Sequence, residues 1–522
     1  MAKATNCAPR AARSPQQPFM ADLTLDRLRR DGQKFMEELS REYYLAHSGV
    51  KQTAELAPIY ARHREVVGTP GLEVALDAFK SSTGDSLRSA RALLEWQVES
   101  QAGRAVAAQE EAEIAWESQA TIRLSDGSQV PYSSVAIQIA NTTNRAERET
   151  IDEARASLVE KELAPLKQER LHRERDFVES LDIASGYIGT FEALSGVSID
   201  ALAGQCTQFL RDTQAMWDDV FRETVRKSLG IDPGMATRAD AQAVMRAPQF
   251  DEFFPARAME DSVRRQVTQM GIDPSANGRV IYDLGDRPGK RSRAFCAPVR
   301  VPEEVYLVLR PHGGQSDWST LLHELGHALH FAFMRPDLEF EFRWAGDNSV
   351  TEGYAMLFDH LMHNEGWLSR YTGLRGEDAR RFQRSTGFEE LQFLRRYCGK
   401  LLYEAQLYGG TVSWGAMPDL YVETLSSATN FAYRRADAFI DVDPRFYSAR
   451  YLRAWQLQAL LTETLREQFD EDWYRNPNTG PWMTTELFGE GQRELAGELA
   501  ERVSGKSLDF GPLVRGVEQL LG

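Results

Sequence analysis

The sequence predicts a mainly α-helical body with a small β-sheet, and three observations carry that expectation. Apolar residues recur three and four apart through most of the chain, the spacing of helices with one buried face. Strand-like runs gather mainly in one stretch, residues 279–314, directly before the sharpest helical motif. No internal repeat or low-complexity linker interrupts the 522 residues, so one body built in two lobes is expected rather than a string of domains.

Residues 1–20 read as a loose arm rich in Ala, Pro and Gln, without the continuous apolar run of a secretory signal. A mainly helical lobe is expected over residues 21–278. Helical spacing starts at Leu25 and holds to about Glu65, and VGTPG at residues 67–71 breaks it. From Leu72 to about Ser118 an acidic, Ala-rich stretch predicts one long helix or an antiparallel pair. Ile122 and Leu124 before Asp126–Gly127 predict half of a small hairpin, kept short by Pro131. Helical spacing then runs to about Leu229, with alternating charges that read as the wet face of packed helices.

The pattern changes near Gly278, where a second lobe, residues 279–522, is expected to begin. VIYDL, SRAFCAPV and EVYLVLR are three short strand signals. DWSTLLHELGHALHFAFM follows as a helix that Asp317 could cap, and TEGYAMLFDHLMHNEGWL as another.

Composition bounds the function. An apolar share of 42%, with 10 Trp and 25 Phe, is ample for a dry core. A net charge of -16, from 61 basic and 77 acidic side chains, argues against a nucleic-acid partner, since a phosphate backbone would be repelled. The same field favours cationic peptides. No run approaches the roughly 20 apolar residues that span a membrane, so no membrane partner is expected. Cys7, Cys206, Cys296 and Cys398 form no CxxC pair, and reduced thiols in the cytoplasm are the plain reading.

HELGH, residues 323–327, carries the chemistry. Positions four apart on a helix point the same way, so His323 and His327 can offer two imidazoles to one ion, and Glu324 can approach a water there as its base. A catalytic zinc takes three protein ligands and keeps one place open. Glu352, at the start of the next helical pattern, is the best third ligand, with Glu339 and Glu341 as rivals in the connecting segment. Asp359, two turns past Glu352, could hold a ligating imidazole in its tautomer. His330 and His360 are also close in sequence, and a third imidazole ligand is the main competing geometry, but His330, three residues past His327, rotates away from the shared site. One Zn2+ per chain is therefore expected, two nitrogens, a carboxylate and a water suiting zinc.

RAFCAPV, VYLVLRPHGGQSDWSTLLHELGHALH and TEGYAMLFDHL together resemble the M3 family of zinc oligopeptidases, the thimet oligopeptidase and oligoendopeptidase F group. The resemblance covers about Arg279 to Arg466. It implies a zincin-like helical metallopeptidase with a deep channel between two lobes intertwined in one body, with zinc on the channel wall. It implies His323, His327 and Glu352 as ligands, Glu324 as catalytic base, and Asp359 as the supporting carboxylate. The family's tyrosine-rich segment falls on DPRFYSARYLRAWQ, residues 443–456, where Tyr447 and Tyr451 would stabilise the tetrahedral intermediate, Tyr451 ahead of Tyr447. The family keeps a histidine before those tyrosines. This chain has none after His363, so that substrate-facing role is either absent or taken by another residue, with Arg450 the candidate. Gly313 and Gly314 would leave room for a substrate backbone, and the strand Val305–Arg310 would pair with it.

The implied function is zinc-dependent internal cleavage of short peptides. A carboxypeptidase or dipeptidyl carboxypeptidase of related fold, and a peptide-binding helical scaffold without turnover, are the alternatives. Spacing alone gives no oligomeric state.

Overall fold

The computed structural model describes residues 23–124, 127–291 and 293–522. The arm expected over residues 1–20, and Asp126 of the expected hairpin, lie outside the described residues. The described chain is mainly helical with two small β-sheets.

Helix α1 (Leu25–His47) starts at Thr24, whose hydroxyl accepts from the Arg27 N–H. The break expected at residues 67–71 lies at residues 63–68, between the helices Leu56–Arg62 and Thr69–Ser81. Pro70 occupies the first turn of the helix Thr69–Ser81, where its missing N–H would have had no partner anyway. The Ala-rich stretch beyond forms neither one helix nor a simple pair: after Thr69–Ser81 come α2 (Asp85–Ala105) and a third helix, Ala107–Gln119. Strands β1 (Thr121–Arg123) and β2 (Gln129–Pro131) then pair antiparallel, with Ile122 opposite Val130.

The three strand signals near residue 280 become β3 (Val280–Asp283), β4 (Phe295–Arg300) and β5 (Glu304–Val308), in the spatial order β3–β5–β4. This corrects the expectation that Val305–Arg310 offers a free edge. Strand β5 is bonded on both sides, parallel to β3 and antiparallel to β4, because the short link after Arg300 folds β4 back on it. The edges belong to β3 and β4, the latter carrying Pro298, a residue tolerated at edges because it has no N–H to donate. Helix α1 lies against this sheet: Tyr44 stacks on Tyr306 with ring centroids 3.7 Å apart, and Arg41 pairs with Glu304 at 2.7 Å.

Helix α3 (Gln315–Phe333) follows the sheet. Asp317 does not cap it; it lies inside the first turn, and its Oδ2 reaches back to accept from the Gly313 N–H at 2.8 Å. Helix α4 (Asn348–Asp359) is capped by Asp347, which accepts from the Ser349 N–H at 2.9 Å. The helix expected to continue to Leu368 breaks after Asp359. A tighter turn, His360–His363, leads to Asn364, which caps a separate helix Glu365–Tyr371. Helices α5 (Gly376–Gly409) and α6 (Tyr447–Phe469) complete the frame around α4.

Two large apolar clusters hold these elements. One gathers Trp318, Leu321, Leu325, Tyr354, Leu457 and Leu461 from α3, α4 and α6, with Val305 and Leu307 of the sheet. The other joins Leu28 and Leu93 of α1 and α2 to Leu394 and Leu452 of α5 and α6, so early and late parts of the chain share a core. Close approach in the first cluster depends on small residues. A Cβ on Gly326 would stand 2.6 Å from the Ala355 Cα and 2.7 Å from the Tyr354 carbonyl oxygen. On the other side of α4, a Cβ on Gly353 would meet Leu457 at 2.9 Å. Backbone cannot yield to a methyl as a side chain can, so α3 and α4 cross where only glycine fits.

Gly326→Ala is accordingly expected to destabilise the protein by about 1–3 kcal/mol or more through overpacking. Calorimetry would read this as a lower thermal midpoint, and an unchanged midpoint would contradict so close a crossing.

Candidate metal centre

The crossing of α3 and α4 brings three donors together. His323 and His327 lie one turn apart on α3, and Glu352 reaches them from the first turns of α4. The Nε2 atoms of His323 and His327 stand 3.5 and 3.7 Å from the Glu352 Oε2. These three side chains form a group that could hold a metal ion, with ligand atoms within 4.8 Å of one another.

Three further features fit a cation. Donors about 2.1 Å from a tetrahedral ion stand roughly 3.4 Å apart, close to the separations seen. Glu352 Oε2 is buried without a hydrogen-bond partner, a state that costs free energy unless a cation satisfies it. Both imidazoles are also held from behind. His323 Nδ1 lies 2.8 Å from Asp359 Oδ2, and His327 Nδ1 lies 2.9 Å from the Thr351 hydroxyl. A ring that donates from Nδ1 presents the Nε2 lone pair to the centre.

The two partners differ in charge, and the rings respond differently. Burial favours a neutral His323, yet Asp359 and Glu352 together hold its pKa up to about 10. Burial pushes His327 down to about 4, where its Nδ1 faces only a neutral hydroxyl. Burial would also raise Glu352, but the two imidazoles keep its carboxyl below the usual range. Asp359 and Glu352 thus supply the negative potential that a cation at this point would meet.

Glu324 sits beside His323 on α3. Burial raises its carboxyl, while His323 and the Cys296 N–H of β4 draw it back down. Tyr447 donates its hydroxyl to Glu352 Oε1 at 2.9 Å. The ring of Tyr451 meets that of Tyr447 edge to face, with centroids 5.0 Å apart.

Other residues singled out in the sequence stand elsewhere. The guanidinium of Arg450 is buried and pairs with Glu95 of α2 and with Asp347, the latter at 3.3 Å. Gly313 and Gly314, at φ 89° and 88°, turn the chain into α3, and a Cβ on either would strike Ala256 or Asp251. Of the rival acids, Glu341 is buried against Arg29 at 2.8 Å, and Glu339 is exposed. His330 is buried and donates from Nε2 to the Gly491 carbonyl at 3.3 Å, away from the cluster.

Thr351 and Glu390 escaped the sequence reading, and His360, weighed there as a third imidazole ligand, takes a different role. Thr351 was legible in principle, a hydroxyl beside Glu352 in TEGY. His360 bonds the free oxygen of Asp359 and reaches Glu390 Oε1 at 3.0 Å, so Asp359 is gripped from both sides. No local signal ties Glu390 of α5 to this centre, thirty residues on. Burial would raise Asp359, yet the two imidazoles hold it down to about 2.

The fold and this cluster define a mainly helical protein with a candidate His–His–Glu metal site. No protein-family model matches the chain, and no curated protein matches it. No helix of the described residues is long and apolar enough to cross a membrane.

Zinc at a hundred times its dissociation constant is expected to stabilise the protein by about 2.7 kcal/mol, and a chelator to reverse the gain. Glu352→Ala is expected to weaken zinc binding by more than about 100-fold, since even a residue that only supports a ligand contributes roughly 10–100-fold. Zinc titration followed by calorimetry checks both, and unchanged affinity in the variant would move the third-ligand role elsewhere.

Proposed function

We propose that the chain is a zinc metalloendopeptidase of the M3 oligopeptidase type, cutting internal bonds of short peptides. One observation carries the reading: a buried, unpartnered carboxylate oxygen faces two imidazole nitrogens, while a second acid stands next to the first imidazole on the same helix. Two nitrogens and one carboxylate with an open place form the donor set of a catalytic zinc rather than a closed structural one. When bound, such an ion lowers the pKa of a water and polarises a carbonyl.

The chain's own residues would do the rest. Glu324 takes a proton from the attacking water and returns it to the departing amine, which suits a carboxylate that burial raises above its ordinary range. Asp359 and Thr351 fix the imidazoles, so that both ligand lone pairs are aimed before substrate arrives. The two tyrosines divide their work. Tyr447 is engaged with Glu352 and orients that carboxylate. Tyr451 makes no hydrogen bond to any described residue, and it donates to the carbonyl oxygen as negative charge develops there.

The β4 edge gives the substrate backbone a strand to pair with, beside Glu324, in place of the β5 edge expected from the sequence. Arg450 serves the frame, tying α6 to α2 and to the cap of α4. Residues 21–278 and 279–522 would form two intertwined lobes facing each other across a channel for peptides. The free Cys206, Cys296 and Cys398 suit a reducing compartment, and the cytoplasm is the proposed location.

Glu324→Gln is expected to bind zinc normally and to lose hydrolysis of a quenched fluorescent peptide; near-normal turnover would refute the base assignment. Tyr451→Phe is expected to lower kcat by about 10²–10³-fold with zinc affinity retained. An unchanged kcat would remove Tyr451 from the reaction.

A further inference from the structure

A cavity of ≈ 330 Å³ lies beside the candidate metal centre and shares its three helices. Each contributes a wall residue one turn from a residue of the centre. Ser319 precedes His323 by four residues on α3, Met356 follows Glu352 by four on α4, and Trp455 follows Tyr451 by four on α6. Residues four apart lie on one helix face, so the cavity opens alongside the donors. Asp359 lines it too, while its Oδ2 holds His323.

The wall opposite includes α5, which presents Glu389 and Phe393 one turn apart, and the end of the helix Arg238–Arg246. Glu389 is only partly exposed, yet it makes no hydrogen bond or ion pair with any described residue. Burial, with Glu390 alongside, pushes its carboxyl up to about 7. The cations of the wall are committed elsewhere. His360 lies between Asp359 and Glu390, and Arg246 makes a two-point pair with Asp251 at 2.6 and 3.1 Å. The cavity therefore combines an uncompensated acid with the aromatic rings of Phe382, Phe393 and Trp455.

We propose that this cavity is a subsite for a cationic side chain of a bound peptide, lysine or arginine, with Glu389 receiving the charged head. The match is chemical. Lysine and arginine carry a long apolar stem below a charged tip, and the stem buries well against aromatic walls. The tip gains from ring faces and, far more, from a carboxylate partly removed from water. A neutral side chain would leave Glu389 uncompensated, and an acidic one would add repulsion from Glu389 and Asp359. The subsite rests on the peptidase reading only for the identity of the chain that bears the cation.

The test uses fluorescein-labelled octapeptides of neutral sequence in which one position is lysine, arginine, norleucine or glutamate, moved along the peptide. Binding to the zinc-loaded Glu324→Gln protein is read by anisotropy, and hydrolysis of the same peptides by wild type is read separately. At one position, lysine or arginine is expected to bind at least tenfold tighter than norleucine. Adding Glu389→Gln is expected to remove that ratio, and Glu389→Arg to turn the preference toward glutamate. Thermal midpoints of both variants show that they fold. A lysine-to-norleucine ratio near one, or one that survives Glu389→Gln, overturns the subsite, and hydrolysis without any such ratio does so while sparing the peptidase reading. A Glu389-dependent ratio without hydrolysis by wild type supports the subsite and overturns the peptidase reading instead.

Discussion

The crossing of two helix backbones at Gly326 is the constraint on which the centre depends. Gly326 lies one residue before His327, and the backbone it touches, Tyr354–Ala355, lies just past Glu352. Any side chain there would wedge α3 from α4. The three donors project from these two helices into one small volume, so a modest change in the crossing would move Glu352 away from both imidazoles. The same steric need recurs at Gly353 against Leu457, which seats α6, and with it Tyr447, on α4. Dense packing thus sets the positions that the polar atoms require.

Polar contacts then set orientation and charge. A carboxylate behind His323 and a hydroxyl behind His327 give two similar rings very different proton affinities. Behind the carboxylate stand His360 and Glu390, so a file of alternating acid and imidazole runs from α5 to the centre. Every member has a partner of opposite character, the condition under which a buried polar file rigidifies a structure rather than weakening it. The exception is Glu352 Oε2, the one atom of the file's inner end left without a hydrogen bond.

A third layer ties distant segments of the chain to this centre. Arg450 links α6 to Glu95 of α2 and to the cap of α4, and Arg29 of α1 buries Glu341 between α3 and α4. Buried ion pairs of this kind add little net stability, because desolvation offsets most of the attraction. Breaking one is costly, however, since the remaining charge stays buried alone. Such pairs penalise misassembly, and here they fix how the N-terminal helices meet the helices that carry the donors.

The sequence by itself determined what depends on near neighbours. Helical spacing, the three short strands and the paired imidazoles of HELGH are legible because they involve residues within a few positions of one another. Glu352 stood out for a related reason, its place at the start of the next helix. What spacing could not decide was every question of tertiary direction: that β5 is the central strand and not an edge, that Arg450 turns toward Glu95, that Tyr447 engages Glu352 while Tyr451 stays unbonded, and that Glu390 stands behind His360. Those outcomes follow from contacts between residues tens to hundreds of positions apart, where packing and burial choose among orientations that a local pattern leaves equal.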